Sequence, residues 1–313
     1  MIIFFWKEKM YDNSVEKPLR VVATFTTLPE RYELLEKSIK SIREQSYPVD
    51  AIYLAIPMKA RRLNKEYPQI PDSISNLCTV LRIDIDYGPI TKIYGALVSE
   101  TNPNTVIISC DDDVIYNPDM IRIMIQHHKT NPHIAICGTG ALIGRGLVFL
   151  SIVSSLRPFR KWNVFTGFDV GKEGRSIDVV FGVAGVLYLR GFFPNKEQLH
   201  SEIFKYCFEN EAVFLNDDIL ISGYLNKQNI TRKVFCDIPD VVCQNSNRTD
   251  ALSHGLIKQV RSVNQSINYL MENGFFSTTE VLPLDETIAV KIVINIILII
   301  ILLVLAILLY QLI

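Results

Sequence analysis

The sequence predicts an α/β domain, a mostly parallel sheet with helices on both faces, followed by a C-terminal transmembrane helix. Three observations predict it. Short β-branched and apolar runs alternate with segments of helical periodicity through the first 110 residues, which is the signature of βαβ units. One of these runs ends in three consecutive carboxylates, Asp111, Asp112 and Asp113. Residues 292–310 (IVINIILIIILLVLAILLY) form nineteen positions with no charge and a single amide, Asn295. At 1.5 Å per helical residue such a run covers roughly the 30 Å hydrocarbon core of a bilayer.

In chain order, RVVATFTT (residues 20–27) reads as a first strand, stopped by Leu28, Pro29 and Glu30. A helix follows, with Leu34, Leu35, Ile39 and Ile42 on one face, and closes near Tyr47 and Pro48. AIYLAIP (51–57) and CTVLRID (78–84) read as the second and third strands, residues 90–100 as a helix and TVIISC (105–110) as the fourth strand. Asn117, Pro118 and Asp119 supply the start of another helix. Beyond it the pattern is less regular. Strand candidates lie at 141–153 and 177–190, helices at about 196–208 and 217–225, a basic, Asn-rich stretch at 244–254, and an amphipathic helix at 256–271. The expected organisation is a leader at 1–18, one domain at 19–272, a connector at 273–288 and a tail anchor at 289–313.

Composition narrows the function class. Thirty-two basic and 33 acidic side chains nearly cancel, and a pI near 6.5 excludes the strong positive footprint of a nucleic-acid binder. With 49% hydrophobic and 21% charged residues the chain is not a disordered one. The mean hydropathy of +0.20 is high for a soluble enzyme, and the excess is concentrated at the C-terminal end. MIIFFW at the start is too short for a signal-peptide core, and no small-residue cleavage site follows it. The expected topology is a single-pass C-terminal anchor with the folded part in the cytosol, which Lys291 beside the span favours. Six cysteines show no CxxC pair and no zinc spacing, and Cys78, Cys110 and Cys137 lie in or beside apolar runs, as reduced buried thiols do.

Three carboxylates at the end of an apolar strand repel one another, so a compensating cation or hydrogen-bond donor is expected wherever they are partly buried. Mg²⁺ or Mn²⁺ answers that need, since both take oxygen ligands and bridge the phosphates of a nucleotide. The competing reading is a solvated acidic loop that caps the next helix. In open α/β sheets ligands bind beyond the carboxyl ends of the strands, where this cluster lies.

Four segments in order, TFTTLPERYE (24–33), DYGPITKIYGAL (86–97), SCDDDVIY (109–116) and FLNDDILISGYL (214–225), resemble nucleotide-sugar glycosyltransferases of the GT-A fold, family-2-like enzymes with a DxD motif, of the type found in bacteria and large DNA viruses. The resemblance spans about residues 20–255. It implies a Rossmann-like sheet, a bound Mn²⁺ or Mg²⁺, a nucleotide-diphosphate sugar, foremost a UDP-sugar, as donor, and a glycan, protein or lipid acceptor at the membrane. On this pattern Asp111 lies near the ribose or a metal-bound water, Asp113 binds the metal that holds the donor diphosphate, and Asp112 contributes to the donor site in a role that spacing leaves open. Thr26, Pro29 and Arg31 line the base and ribose pocket, Asp86 contacts the nucleoside, and Lys92 meets the diphosphate as a point charge. Gly185, in FGVAGVLYLR, lets a strand pass beneath the donor sugar. Asp218, ahead of Asp217, contacts the acceptor hydroxyl and, on the pattern of inverting members, takes its proton, and His254 matches the histidine that completes the metal site in some families.

Two other readings stand beside it. A haloacid-dehalogenase-like phosphotransferase also places an Asp nucleophile and a second Asp after an apolar strand, and Asp217 with Asp218 resembles its later acidic motif. That family's motif ends the first strand of its core, however, whereas this one ends the fourth. The other reading is a membrane-tethered module that binds sugar or nucleotide without turnover.

Overall fold

A computed structural model describes residues 19–143, 164–166, 173–244 and 256–277. The main sheet is assembled from β1 (Val21–Phe25), β2 (Ala51–Pro57), β3 (Thr79–Ile83), β4 (Val106–Ser109), β5 (Ile134–Cys137), β6 (Arg175–Ser176), β7 (Val186–Leu189) and β8 (Thr231–Val234). Their order across the sheet is β6-β8-β5-β7-β4-β1-β2-β3. Neighbours from β3 through β2 and β1 to β4 pair in parallel, as do β5 and β8. β7 is antiparallel to both β4 and β5, and β6 is antiparallel to β8. This mixed, mostly parallel α/β sheet fits the expected GT-A architecture.

Every residue of β1 is buried, as a strand covered on both faces must be. Alternation then sends Val21, Ala23 and Phe25 to one face and Val22 to the other. The first face is covered by α1 (Tyr32–Arg43), whose Leu35, Ile39 and Ile42 are fully buried, together with Met120, Ile121 and Met124 of the later helix Met120–Thr130. The second face is covered by α2 (Thr91–Ser99), α3 (Asp217–Lys227) and α4 (Leu256–Glu272). The sheet is locked at the opposite end from the acidic cluster by Glu100. Its carboxylate accepts two hydrogen bonds of 2.8 Å from Arg20 and one of 2.7 Å from Tyr53.

Several elements differ from the sequence expectation. The strand expected at 177–190 divides: Val179–Val180 pairs with Thr139–Ala141 in a small separate sheet, and β7 enters the main one. Between them a 3-10 turn at Gly182–Ala184 and Gly185, at φ +76°, where an L side chain is strained, carry the chain from the small sheet into the main one, both segments running antiparallel to 134–141. The helix expected at 196–208 is three pieces, a 3-10 turn at Lys196–Gln198, a π-helical turn at His200–Phe204 and a short α-helix at Tyr206–Glu209. β5 and β8 carry no counterpart in the expected element list. At the C-terminal side, Phe275 and Phe276 are 1% and 2% exposed, so the packed body extends past residue 272. Among the described residues no helix is long and apolar enough to cross a membrane. The run at 292–310, the leader at 1–18 and His254 lie outside the described residues.

The Glu100 lock carries a sign. Burial works against its charge, but hydrogen bonds from Arg20 and Tyr53 outweigh it and hold the carboxyl below its ordinary 4.5. A depressed value stabilises the fold above about pH 4.5, and that contribution is lost as pH falls through the lowered value. Glu100→Gln is therefore expected to unfold at lower urea concentration at pH 7 and to show a smaller further loss on acidification than the native chain.

Candidate active site

The chain runs from β1 to β2 and β3 on one side and then returns to place β4 on the other side of β1. The point where the order reverses opens a crevice beyond the carboxyl ends of β1 and β4. The loop after β1 holds Thr26 to Arg31, and the loop after β4 holds the three acids.

In the first loop Arg31 N–H donates to the Leu28 carbonyl at 3.0 Å, closing a turn with Pro29 at its second position. Thr26 Oγ1 donates to the Ala55 carbonyl at 2.8 Å, so its hydroxyl ties the loop to β2. Thr27 Oγ1 donates to Asp112 at 2.5 Å, and Arg31 Nη1 stands 3.0 Å from Asp112 and 3.3 Å from Asp113. The acidic loop is thereby sorted. The Asp112 side chain is 9% exposed and turned inward, while those of Asp111 and Asp113 are 29% and 33% exposed and turned outward. The backbone carbonyl of Asp112 also accepts from Ser38 of α1 at 2.9 Å. Burial raises the Asp112 carboxyl against the pull of Arg31, and burial with the neighbouring charges of Asp112 and Asp111 pushes Asp113 up to about 6. Outward Asp113 therefore carries its charge at a cost.

The second cation arrives from α2. Asp86 Oδ1 accepts from Gly88 N–H at 2.7 Å, and Gly88, at φ +79°, turns the chain into that helix. Asp86 Oδ2 accepts from Arg61 N–H at 2.7 Å, so both oxygens are engaged with backbone. One turn on, Lys92 is buried, its carbonyl accepting from Thr24 of β1 and its Nζ lying 2.6 Å from Asp111 Oδ1 and 2.8 Å from Asp217 Oδ2. The Asp217 contact is an ion pair by distance, yet Oδ2 makes no hydrogen bond and points into the cluster. Burial opposes the lysine charge, but Asp111, Asp217 and Asp218 outweigh it and raise Lys92 well above its ordinary value. Asp218 accepts the Gly182 N–H at 3.0 Å, and burial together with Asp217 pushes its carboxyl up to about 8 against the pull of Lys92.

The structure thus brings Asp111, Asp217, Asp218 and Lys92 together, with Asp113 and Arg31 beside them. It does not bring Gly185 to them. A Cβ there would meet Met120 Sδ at 2.9 Å, on the packed face under the helix Met120–Thr130. The glycine at the cluster is Gly182, where a Cβ would lie 3.0 Å from Lys92 Nζ, 3.2 Å from Asp218 and 3.4 Å from Asp111. FGVAG contains both, and only the 3-10 turn between them decides which one faces the acids. Thr27 was equally invisible in the sequence. Gln244 is a further neighbour: Val242–Cys243 pairs with Val114–Ile115, and Gln244 N–H donates to the Asp113 carbonyl at 2.7 Å. Among the described residues no three His, Cys, Asp or Glu side chains form a ready metal cage.

No protein-family model matches the chain, and no curated protein matches it by sequence. Solved structures similar to it include glucosyl-3-phosphoglycerate synthase from Mycobacterium tuberculosis with Mn²⁺, UDP-glucose and phosphoglyceric acid, at 14% identity and TM-score 0.42 over 81% of this chain and 80% of that one. The same synthase with Mn²⁺, UDP and glucosyl-3-phosphoglycerate matches at 12% identity and TM-score 0.41, over 80% and 81%. TarS from S. aureus matches at 12% identity and TM-score 0.43, over 72% of this chain and 36% of that one. These are loose similarities, and no residue role is taken from them.

Inward and outward acids respond differently to truncation. Asp112→Ala removes a buried carboxylate 3.0 Å from the buried Arg31 and is expected to cost about 3 kcal/mol in urea denaturation, whereas Asp113→Ala removes a disfavoured charge and is expected to leave stability unchanged or raised.

Proposed function

We propose that the chain is a metal-dependent glycosyltransferase that moves a sugar from a nucleotide-diphosphate sugar, foremost a UDP-sugar, to a hydroxyl of a glycan, protein or lipid acceptor at a membrane. The observation that carries the reading is the pairing, at the switch point, of outward carboxylates on the β4 loop with a second carboxylate pair on α3 across a buried ammonium.

The residues present fit a divalent ion of modest protein contact. Mg²⁺-like ions are commonly held by one or two carboxylates plus substrate phosphates rather than by a full protein cage. Asp113 and Asp111 are the outward pair that would hold it, and Asp113, pushed up to about 6 by burial and by Asp112 and Asp111, is a carboxylate that gains from a cation. When bound, the ion neutralises the diphosphate and the charge that develops on it as it leaves. Lys92 supplies a second positive charge at the same place, and its burial in a low-dielectric site makes that charge effective. Arg31 fixes the loop that presents the acids. Thr26 and Pro29 shape the crevice wall on the β1 side, and Asp86 sets the turn that aims Lys92. Gly182, with no Cβ, lets the backbone close on Lys92, Asp218 and Asp111 and present its N–H to Asp218.

Asp218 takes the proton of the acceptor hydroxyl as that oxygen bonds to the anomeric carbon and the bond to the diphosphate breaks. A carboxyl raised towards neutrality is a stronger base than an ordinary aspartate, which suits that task. Asp217, engaged with Lys92, holds the ammonium in place. Residues 289–313 anchor the chain, which keeps the crevice near membrane acceptors.

One contact favours a second reading. A lysine between two aspartates also suits phosphoryl transfer through an aspartyl phosphate, in which Asp111 is the nucleophile and Lys92 its counter-charge.

The discriminating experiment is a thermal-shift screen of nucleotide sugars with Mn²⁺ on the full chain, followed by transfer assays with and without EDTA. A single donor is expected to stabilise the protein. Asp113→Ala is expected to lower metal-dependent donor affinity about 100-fold, and Asp218→Asn to lower kcat about 100-fold or more with donor KM unchanged. Activity that survives both EDTA and Asp113→Ala sinks the proposal, and trapping by beryllofluoride without affinity for any nucleotide sugar establishes the phosphotransferase instead.

A further inference from the structure

Asn216 directly precedes the acid pair and opens α3, where an asparagine ordinarily accepts a hydrogen bond from a first-turn N–H through Oδ1. Here it makes no such bond. Its amide Nδ2 instead donates to the Ala212 carbonyl at 2.7 Å, to Ser262 Oγ at 2.8 Å and to Ser266 Oγ at 3.2 Å. Both serines belong to α4, 46 and 50 residues further along the chain. The amide orientation is settled by the serines. Ser266 is fully buried and its hydroxyl proton goes to the Ser262 carbonyl at 2.9 Å, so towards Asn216 that hydroxyl can only accept.

The rest of the contact between α3 and the segment from α4 to Phe276 runs the length of α3. Gly223, in the middle of α3, lies against Phe275 and Phe276, where a Cβ would come within 2.9 Å of Phe276. At its last turn the Lys227 ammonium lies 5.0 Å from the Phe275 ring centroid. Close packing of that kind, with the 3.0 Å hydrogen bond from Val180 N–H to Ser222 Oγ, holds the body of α3, and the hydrogen bonds of Asn216 fix its first turn, which carries the acids. Phase matters at this position. Successive helical residues point about 100° apart, so Asp217 reaches Lys92 and Asp218 reaches Gly182 N–H in only one rotation of α3.

We infer that Asn216, held by Ser262 and Ser266, is a positioning residue that fixes the first turn of α3 and with it the alignment of Asp217 and Asp218 against Lys92 and Gly182. The inference rests on the glycosyltransferase reading for its catalytic consequence, and on the geometry alone for its structural one. The amide has exchanged the capping of its own helix for a tie to a distant one. The first turn of α3 keeps its electrostatic complement, because Asp217 and Asp218 lie at the positive end of the helix dipole.

The test is the double variant Ser262→Ala with Ser266→Ala in the full chain, read by transfer kinetics and by amide hydrogen exchange. A small misplacement of reacting groups costs on the order of 10- to 100-fold, so kcat is expected to fall by about that factor with donor KM unchanged. Exchange at residues 217–220 is expected to accelerate while the core of the sheet stays protected. Ser262→Thr alone, which keeps the hydroxyl at a half-buried position, is expected to retain native kcat and native exchange. A double variant with native kcat overturns the inference, whatever happens to its melting temperature, because a purely structural tie would shift Tm alone. If the native chain itself transfers no sugar from any donor, the glycosyltransferase reading fails and exchange decides the positioning: lost protection at 217–220 upholds it, and native protection overturns it.

Discussion

The crevice depends on one electrostatic constraint, which is that acids from two elements far apart in sequence are packed around a single buried ammonium. Lys92 touches Asp111 of the β4 loop and Asp217 of α3, and Asp218 adds its field. Without a positive charge there, the carboxylates could not share so little volume in a low-dielectric site. The lysine also dictates connectivity. Its carbonyl accepts from Thr24 in β1, so the helix that delivers the charge is registered against the central strand. The β1 strand, the β4 loop, α2 and α3 therefore meet at one residue, and displacement of any of them is felt by the other three.

A second, separate device holds the acids apart. Asp112 is drawn inward by Thr27, Arg31 and Ser38, and its neighbours on either side are consequently turned out. Three consecutive acids thus yield two usable carboxylates and one tether. Burial first, and then the charges of Asp112 and Asp111, leave the outward Asp113 carboxyl raised. A site of this type stores unfavourable charge in the free protein and relieves it on binding a cation, and stability is exchanged for affinity in the way functional sites commonly show.

The first half of the fold was legible because its elements obey their periods. Leu34, Leu35, Ile39 and Ile42 mark the buried face of α1, and the unbroken apolar run of 51–57 coincides with β2. β5 and β8 were not legible. β5 has only four residues, and β8 reads TRKV, with Arg232 buried where a polar residue should face solvent; its guanidinium donates to the carbonyls of Ile230 and Ile177. The 177–190 segment was misread because its glycines allow a turn from one sheet into another that hydropathy cannot register, and Gly185 was favoured over Gly182 for the same reason. The acidic cluster was visible as strand-end chemistry. Its inward and outward sorting was not, since the partners Thr27, Arg31 and Ser38 lie 74 to 85 residues away. The tie between Asn216 and Ser262 is likewise tertiary and leaves no local mark.

The position of β7 has a consequence for how the chain reaches this state. It is the only strand between β4 and β5 in the sheet, yet it is synthesised some 50 residues after β5. While residues 138–185 emerge, β4 and β5 each present an unpaired edge. The N-terminal half, β1 to β4 with α1 and α2, has mostly short-range parallel connections and can assemble first, but joining it to the C-terminal part awaits a late, long-range insertion of the kind that slows folding. Lys92 and the three acids of the β4 loop belong to the half that can assemble first, whereas Asp217 and Asp218 follow β7 in the chain, so the carboxylates that face Lys92 from α3 arrive only after β7 has been made.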